Sequence, residues 1–235
     1  MIRIGTAGWT IPAPSRPHFP AEGSQLERYA ARLNCAEINS SFYRPHRPAT
    51  YARWAASVPE SFAFALKIPK EITHTRRCLE CDDQVARFVD DTASLGTKRR
   101  VLLIQLPPSF VYDDLRMRRF FEMFRRYYDG DAVCEPRHAS WFTPDAEEAL
   151  SDQRIGRVGA DPPVGETGGV PSGWPGIVYY RQHGSPRTYY SRYDRHAVAA
   201  LNARLAQSSA AQRWCIFDNT SAGAAMENAL ELMRS

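Results

Sequence analysis

The stretch VLLIQLPPSFVYDDLRMRRFFEMFRRYYDGDAVCE, residues 101–135, decides the fold class. It opens on an unbroken apolar run, Val101-Leu102-Leu103-Ile104, closed by Gln105. Such a run suits a strand buried on both faces. Met117, Phe120, Phe121 and Phe124 then recur at helical spacing. Ala132-Val133-Cys134-Glu135 is the next strand. Strand, amphipathic helix and strand in that order make a β-α-β unit, the building block of a parallel sheet.

The same alternation extends in both directions. Upstream, Arg3-Ile4-Gly5 is strand one, and Ser24-Gln25-Leu26-Glu27 is a capping box that opens helix one. Strand two is Ala36–Asn39, the stripe Tyr51, Trp54, Ala55 and Val58 is helix two, and Phe62–Lys67 is strand three. Val85, Phe88, Val89 and Thr92 mark helix three. Downstream, Thr143-Pro144 places an N-cap before a proline at the first helical position. A weak sixth strand lies at Gly156–Asp161, strand seven at Ile177–Arg181 and strand eight at Trp214–Asp218. Val198, Leu201 and Leu205 mark helix seven, and Ala222 to Met233 carries the stripe of helix eight.

About eight parallel strands and seven helices are therefore expected. The helix after strand six is missing, replaced by a proline- and glycine-rich loop from Asp161 to Pro175. A loop of that kind inside a compact domain is usually either functional or disordered. No composition break divides the chain, so residues 1–235 read as one α/β domain, a TIM-like (β/α) barrel slightly shorter than the typical ~250 residues. An open doubly wound sheet usually carries a glycine-rich phosphate turn after strand one. Neither GxGxxG nor a P-loop is present.

No apolar run approaches the ~18 residues a membrane span needs, and no signal-peptide pattern precedes strand one. The five cysteines are scattered, which argues against a disulfide framework. A cytoplasmic protein with no membrane partner is expected. Cys78 and Cys81 form a lone CxxC without a second pair, whereas Cys35, Cys134 and Cys215 sit in strand patterns as small apolar residues. The formal charge of +4 is spread along the chain rather than gathered in a basic arm. It permits an anionic ligand or nucleic acid without requiring either.

In a barrel of parallel strands the chemistry gathers at the C-terminal strand ends. Those ends are polar here: Trp9, Glu37, Asn39, Lys67, Gln105, Glu135, Arg137, His138, Arg181, His183, Asp218 and Asn219, with Tyr43, His74 and Trp141 in the following loops. Alternation along strand three sends Phe62, Phe64 and Leu66 to one face and Ala63, Ala65 and Lys67 to the other. Lys67 then points up the barrel axis. Inward charges at that level must be paired, hydrated or neutralised by a ligand. One reading is a structural plug of ion pairs, Glu135 with Arg137 or Lys67 and Asp218 with Arg181. The other is an anion site, with Lys67, Arg137 and Arg181 clamping a phosphate or carboxylate. Glu135, His183, Asp218 and His74 are then the acid-base candidates. Trp9 and Trp141 could form a stacking wall for a base or sugar ring. Glu37, His74, Glu135, Asp161, His183 and Asp218 could ligate a divalent metal, though none has diagnostic spacing.

The chain resembles the YecE-like family, also called domain of unknown function 72. The resemblance rests on seven segments in order: Gly5–Trp9, Glu37–Tyr43, Phe62–Lys67 leading to Ile72-Thr73-His74, Gln105–Pro108, Glu135–His138 with Ser140-Trp141, Tyr180–Gly184, and Phe217–Asn219. It implies a TIM barrel and a candidate pocket, and no particular reaction. Pro136 stands where an apolar or aromatic strand residue is usual, which implies a lost ladder donor and a local bend. Asp218-Asn219 replaces the usual pair of asparagines and adds a negative charge to the pocket.

The leading expectation is an enzyme, a hydrolase, lyase or isomerase, acting on a small anionic substrate, phosphorylated or sugar-like. No cofactor is specified, and a divalent metal is the open alternative. A nucleic-acid-binding or metal-assisted endonuclease-like barrel and a non-catalytic metabolite sensor or scaffold are the competing readings. The oligomeric state is not legible in the sequence.

Overall fold

A computed structural model describes residues 1–235. In chain order the elements are β1 (Ile2–Thr6), α1 (Gln25–Ala30), β2 (Cys35–Ile38), α2 (Ser40–Tyr43), α3 (Pro48–Ala56), β3 (Ala63–Lys67), α4 (Asp82–Ala93), β4 (Arg99–Gln105), α5 (Asp114–Tyr127), β5 (Asp131–Glu135), α6 (Pro144–Asp152), β6 (Ile155–Arg157), β7 (Gly159–Asp161), β8 (Ser172–Gly173), β9 (Ile177–Gln182), α7 (Arg195–Gln207), β10 (Gln212–Phe217) and α8 (Ala224–Arg234). No helix lies between β7 and β9, as the loop composition predicts. The turn α2 was not legible in the apolar period, because it spans only Ser40–Tyr43.

Local signals account for the helix starts. Ser24 and Glu27 satisfy each other's backbone donors in a capping box at α1. Thr143 caps α6 ahead of Pro144, and Asp113 caps α5. The α5 stripe Met117, Phe120, Phe121 and Phe124 is buried.

The strands form two sheets, one ordered β1-β10-β9-β7 and the other β2-β3-β4-β5-β6-β8. All long pairings are parallel, and only the short β8 runs antiparallel, against β6. The sheets meet at two seams. At one, the continuous segment 155–161 pairs through β6 with β5 and through β7 with β9. At the other, Ala7 bridges Glu37, and the Gly8 N–H donates to the Glu37 carbonyl at 2.8 Å. Gly8 takes φ +74° there, a conformation open to glycine. In place of the single closed ring expected from the sequence, the strands form two sheets, with one bridge between β1 and β2.

Side chains divide by parity. Phe62, Phe64 and Leu66 belong to the large core between sheets and helices. Ala63 and Ala65 belong to a separate inner cluster with Cys35, Val101, Leu103, Val133, Tyr179, Trp214 and Ile216. That inner cluster draws on both sheets, so their inner faces pack on one another beneath the charged strand ends. No helix is long and apolar enough to cross a membrane.

The β1–β2 seam has no spare volume. A Cβ on Gly5 would collide with the Cys35 carbonyl. Gly5→Ala is expected to destabilise the protein by about 1–3 kcal/mol or more in urea unfolding. An unchanged midpoint would contradict the close approach of these strands.

Candidate functional site

The site follows from parity. Six strands that feed the inner cluster continue, two residues on, into a polar side chain: Cys35 to Glu37, Ala65 to Lys67, Leu103 to Gln105, Val133 to Glu135, Tyr179 to Arg181 and then His183, and Ile216 to Asp218. These polar groups form a layer above the apolar interior, at the C-terminal ends of the strands.

Arg181, on β9, is the hub and is only 1% exposed. Its Nη2 donates to Glu37 Oε1 at 2.7 Å and to Asp218 Oδ2 at 3.0 Å. Its Nη1 donates to Glu135 Oε2 at 2.6 Å, and its Nε to Glu37 Oε2 at 3.1 Å. The Tyr179 hydroxyl donates to the same Glu37 Oε2 at 2.8 Å. His183 bridges the remaining oxygens, with Nε2 at 2.9 Å from Glu135 Oε1 and Nδ1 at 3.0 Å from Asp218 Oδ2. Carboxylates only accept, so two such partners require both ring nitrogens to carry protons. Burial pulls the His183 pKa down, but the Glu135 charge and the bonds to both carboxylates outweigh it, and the net shift is upward. Burial pushes the Glu135 and Asp218 carboxyls up, but Arg181 and His183 more than reverse this and hold both below their ordinary values.

Two further cations border the cluster. Arg137 Nη1 lies 3.5 Å from Glu135 Oε1 and donates to the Pro162 carbonyl at 3.3 Å. Lys67 Nζ sits 3.9 Å from the Phe42 ring centre. Burial and the Arg181 charge lower its pKa to about 8, against the opposing pull of Glu37, Glu135 and Asp218. The cluster thus joins four cations, Lys67, Arg137, Arg181 and His183, to three carboxylates. Among these cations Lys67 has no carboxylate within salt-bridge distance.

Not every expected residue joins in. Arg181 was expected either to pair with Asp218 in a structural plug or to clamp an anion; it pairs with Asp218 as well as Glu37 and Glu135, so its donors are directed at protein carboxylates and it positions the cluster. Trp141 was expected in a stacking wall; it is fully buried, with its indole N–H donating to the Phe110 carbonyl at 2.9 Å. Trp9 packs edge-on against Trp54 and Phe64. Asn219 is buried and donates to Ser191 O and Asn228 Oδ1, tying the loop after β9 to α8. His138 caps the turn at Ala139–Trp141 through Ser140 N. Tyr43 is 80% exposed and lines a neighbouring cavity of about 700 Å³ with Phe42, Lys70 and Arg87. Gln105 ends β4 in register with Glu135, its amide donating to the Leu106 carbonyl. The Asn39 side-chain oxygen is buried without a partner. His74 lies edge-on to Phe42 at 4.9 Å, and burial with the charges of Lys67, Lys70 and Arg77 lowers its pKa to about 4.

Pro136 lies just past the last residue of β5, beyond the paired ladder. Two contributors escaped sequence reasoning. Tyr179 could have been found from its shared parity with Arg181. Tyr189, whose ring lies 5.8 Å from that of His183, comes from a loop with no periodic signal. Of the metal candidates, Glu37, Glu135, His183 and Asp218 converge around Arg181, while Asp161 accepts from the Tyr193 hydroxyl. No group of three or more His, Cys, Asp or Glu is arranged to hold an ion. Cys78 and Cys81 are buried, and burial raises both thiols, Cys81 to about 11.

The fold and site together define an α/β protein with a buried ionic cluster at the C-terminal ends of its parallel strands. The chain belongs to the family described as "Protein of unknown function DUF72", whose sequence model matches residues 3–235. It is 27% identical over 162 residues to the UPF0759 protein YecE of Escherichia coli K12, covering 68% of this chain and 57% of YecE. It is 29% identical over 185 residues to the UPF0759 protein YunF of Bacillus subtilis, covering 73% of this chain and 64% of YunF. The chain thus spans less than two thirds of either relative. Among solved structures, a DUF72 family protein from Enterococcus faecalis superposes with a TM-score of 0.84 at 23% identity, over 100% of this chain and 94% of that one. One from Thermotoga maritima does so with 0.81 at 21%, over 100% and 98%. The fold is common to this chain and these two solved structures along its whole length.

Arg181→Met would leave three carboxylates facing one another. A loss of about 3–5 kcal/mol at pH 7 is expected in urea unfolding. The Glu135 and Asp218 pKa values are depressed in the fold, so their stabilisation is present above about 4.5 and is lost as pH falls through the folded values. The His183 pKa is raised, so its share is present below 6.5 and is lost as pH rises through its folded value. In Arg181→Met the penalty should shrink in acid, where protonation neutralises the orphaned carboxylates. A variant as stable as the wild type at pH 7 would contradict the hub role.

Proposed function

We propose that the two sheets form one eight-stranded (β/α) barrel of the TIM type, and that the charged layer at its mouth is the site of an enzyme acting on a small anionic substrate. Closure is supported by the segment 155–161, which pairs with both sheets, and by the bridge between Ala7 and Glu37. The inner apolar cluster, which takes alternate residues from both sheets, also supports it.

The observation that carries the functional reading is the charge count of the cluster. Four cations stand against three carboxylates, and the surplus falls on Lys67, the cation without a carboxylate partner. A buried layer of this kind contributes little to stability compared with apolar packing. Groups so perturbed gather at functional sites more often than elsewhere. A phosphate or carboxylate placed between Lys67 and Arg137 would balance the surplus. The guanidinium of Arg137, 18% exposed, offers donors in the planar fork that suits such groups. Glu135 and Asp218, held below their ordinary pKa values, and His183, held above its own, are the candidates for any acid-base step. The buried, unpartnered oxygen of Asn39 suits a substrate hydroxyl. The five buried, unpaired cysteines favour a reducing compartment, in keeping with the cytoplasm.

Isothermal titration with inorganic phosphate and pyrophosphate tests this reading. Binding is expected in the wild type, and Lys67→Ala should weaken it at least about tenfold, the loss of one charge-assisted contact. The thermal unfolding midpoint of Lys67→Ala should change little. Unfolding of that variant, with no anion bound by the wild type, would favour a purely structural plug. Salt-sensitive binding of DNA or RNA in place of small anions would favour a nucleic-acid partner instead.

A further inference from the structure

We infer that Lys67 is an imine-forming nucleophile for a small aldehyde or ketone that also carries a phosphate or carboxylate. The inference rests on the anion pocket proposed above and names its substrate class.

The first ground is the choice of residue. Of 30 basic residues in this chain, only Lys67, Lys70 and Lys98 are lysines, and the other 27 are arginines. Lys98 is a structural amine, donating to the carbonyls of Ala55 at 2.7 Å and Val58 at 2.8 Å. Lys70 is exposed on the surface. Lys67 alone stands among the charged groups of the strand ends. A guanidinium would serve as well for a simple anion clamp, but it cannot lose its proton. An ammonium can, and only the neutral amine attacks a carbonyl carbon.

The second ground is the surroundings of the amine. Lys67 Nζ makes no hydrogen bond or salt bridge, although Glu37, Glu135 and Asp218 all act on it through space. Those carboxylates are occupied by Arg181, His183 and Tyr179. The face of Phe42 at 3.9 Å supports the side chain without holding the nitrogen by a directed bond. With its pKa near 8, about a fifth of the amine is neutral at pH 7.4 and able to attack, the rest remaining a cation. His74 presents a neutral imidazole in the same corner, its Nδ1 bonded to Thr73 Oγ1 at 2.8 Å. That leaves Nε2 without a protein partner and able to relay a proton.

The third ground is the spacing. Lys67 ends β3 and Arg137 follows β5, with β4 between them. Two strand spacings separate their backbones by about 10 Å. Side chains leaning into the mouth then suit a chain of about three to six carbons, its carbonyl at Lys67 and its anionic group at Arg137.

The chemistry balances without a further reagent. The neutral amine attacks the carbonyl carbon and a C–N bond forms. Both amine protons pass to the former carbonyl oxygen, which leaves as water. The imine nitrogen can then take one proton from solvent to become an iminium.

Reductive trapping tests the inference. The protein is incubated with glyceraldehyde 3-phosphate, with pyruvate or with uncharged glyceraldehyde, reduced with sodium borohydride, and mapped by peptide mass spectrometry. An adduct on Lys67 is expected from a charged probe, at least about tenfold above Lys70, with the yield rising with pH through about 8. The comparison between the two charged probes tells phosphate from carboxylate. Lys67→Arg should lose the adduct while keeping the wild-type circular dichroism. No adduct on Lys67, or even labelling of Lys67, Lys70 and the N-terminus, would overturn the inference. If phosphate still binds in that case, the anion pocket survives and only the imine fails. Equal labelling by uncharged glyceraldehyde would overturn the anionic substrate class.

Discussion

One guanidinium fastens the two halves of this protein together. Glu37 and Glu135 belong to the β2–β8 sheet, while Arg181 and Asp218 belong to the β1–β10 sheet or its immediate continuation. Every carboxylate bond that Arg181 makes to Glu37 or Glu135 therefore crosses between sheets. The bonds from Tyr179 to Glu37 and from His183 to Glu135 cross in the same sense. Below this layer the sheets are held by apolar packing. At the layer itself they are held by ionic bonds in a region with almost no solvent, where each charge depends on its neighbours.

That dependence shapes the chemistry. Arg181 and His183 fix the orientation of three carboxylates and hold Glu135 and Asp218 below their ordinary pKa values, while His183 itself moves up. The groups inside the network are too well bonded to one another to move toward a ligand. The freedom is at its edge, in Lys67 and Arg137. Lys67 lies beside a phenyl face, and Arg137 holds a main-chain carbonyl and one carboxylate oxygen with donors to spare. A rigid interior and a less committed margin are what preorganised sites need: the network sets the field, and the margin meets the substrate.

Much of this was legible in the sequence because it rests on a period of two. The alternation Ala63, Ala65, Lys67 against Phe62, Phe64, Leu66 identifies the inner face of β3, and the same rule groups Arg181 with His183. What parity cannot supply is the partner of each inward charge. Whether Arg181 faces a ligand or three carboxylates depends on the stagger of strands far apart in the chain. Trp141 illustrates a second limit: its position after a strand suggested an exposed wall, but the Phe110 carbonyl behind it satisfies its N–H and permits full burial. Tyr189 marks a third, because the loop after β9 has no period from which direction can be inferred. Strand count alone does not say how β1 meets β2, where a single bridge forms.

Membership of the DUF72 family gives these features a common frame with YecE, YunF and the two superposed structures, without assigning a reaction. The protonation of His183 bears most directly on the central claim, since the network has its present geometry only if both ring nitrogens donate. Nitrogen-15 NMR of the histidine-labelled protein at pH 7.5 reads it. The account predicts two protonated ring nitrogens for His183, with slowly exchanging imidazolium N–H signals that disappear in His183→Gln. A neutral single tautomer at that pH would contradict it.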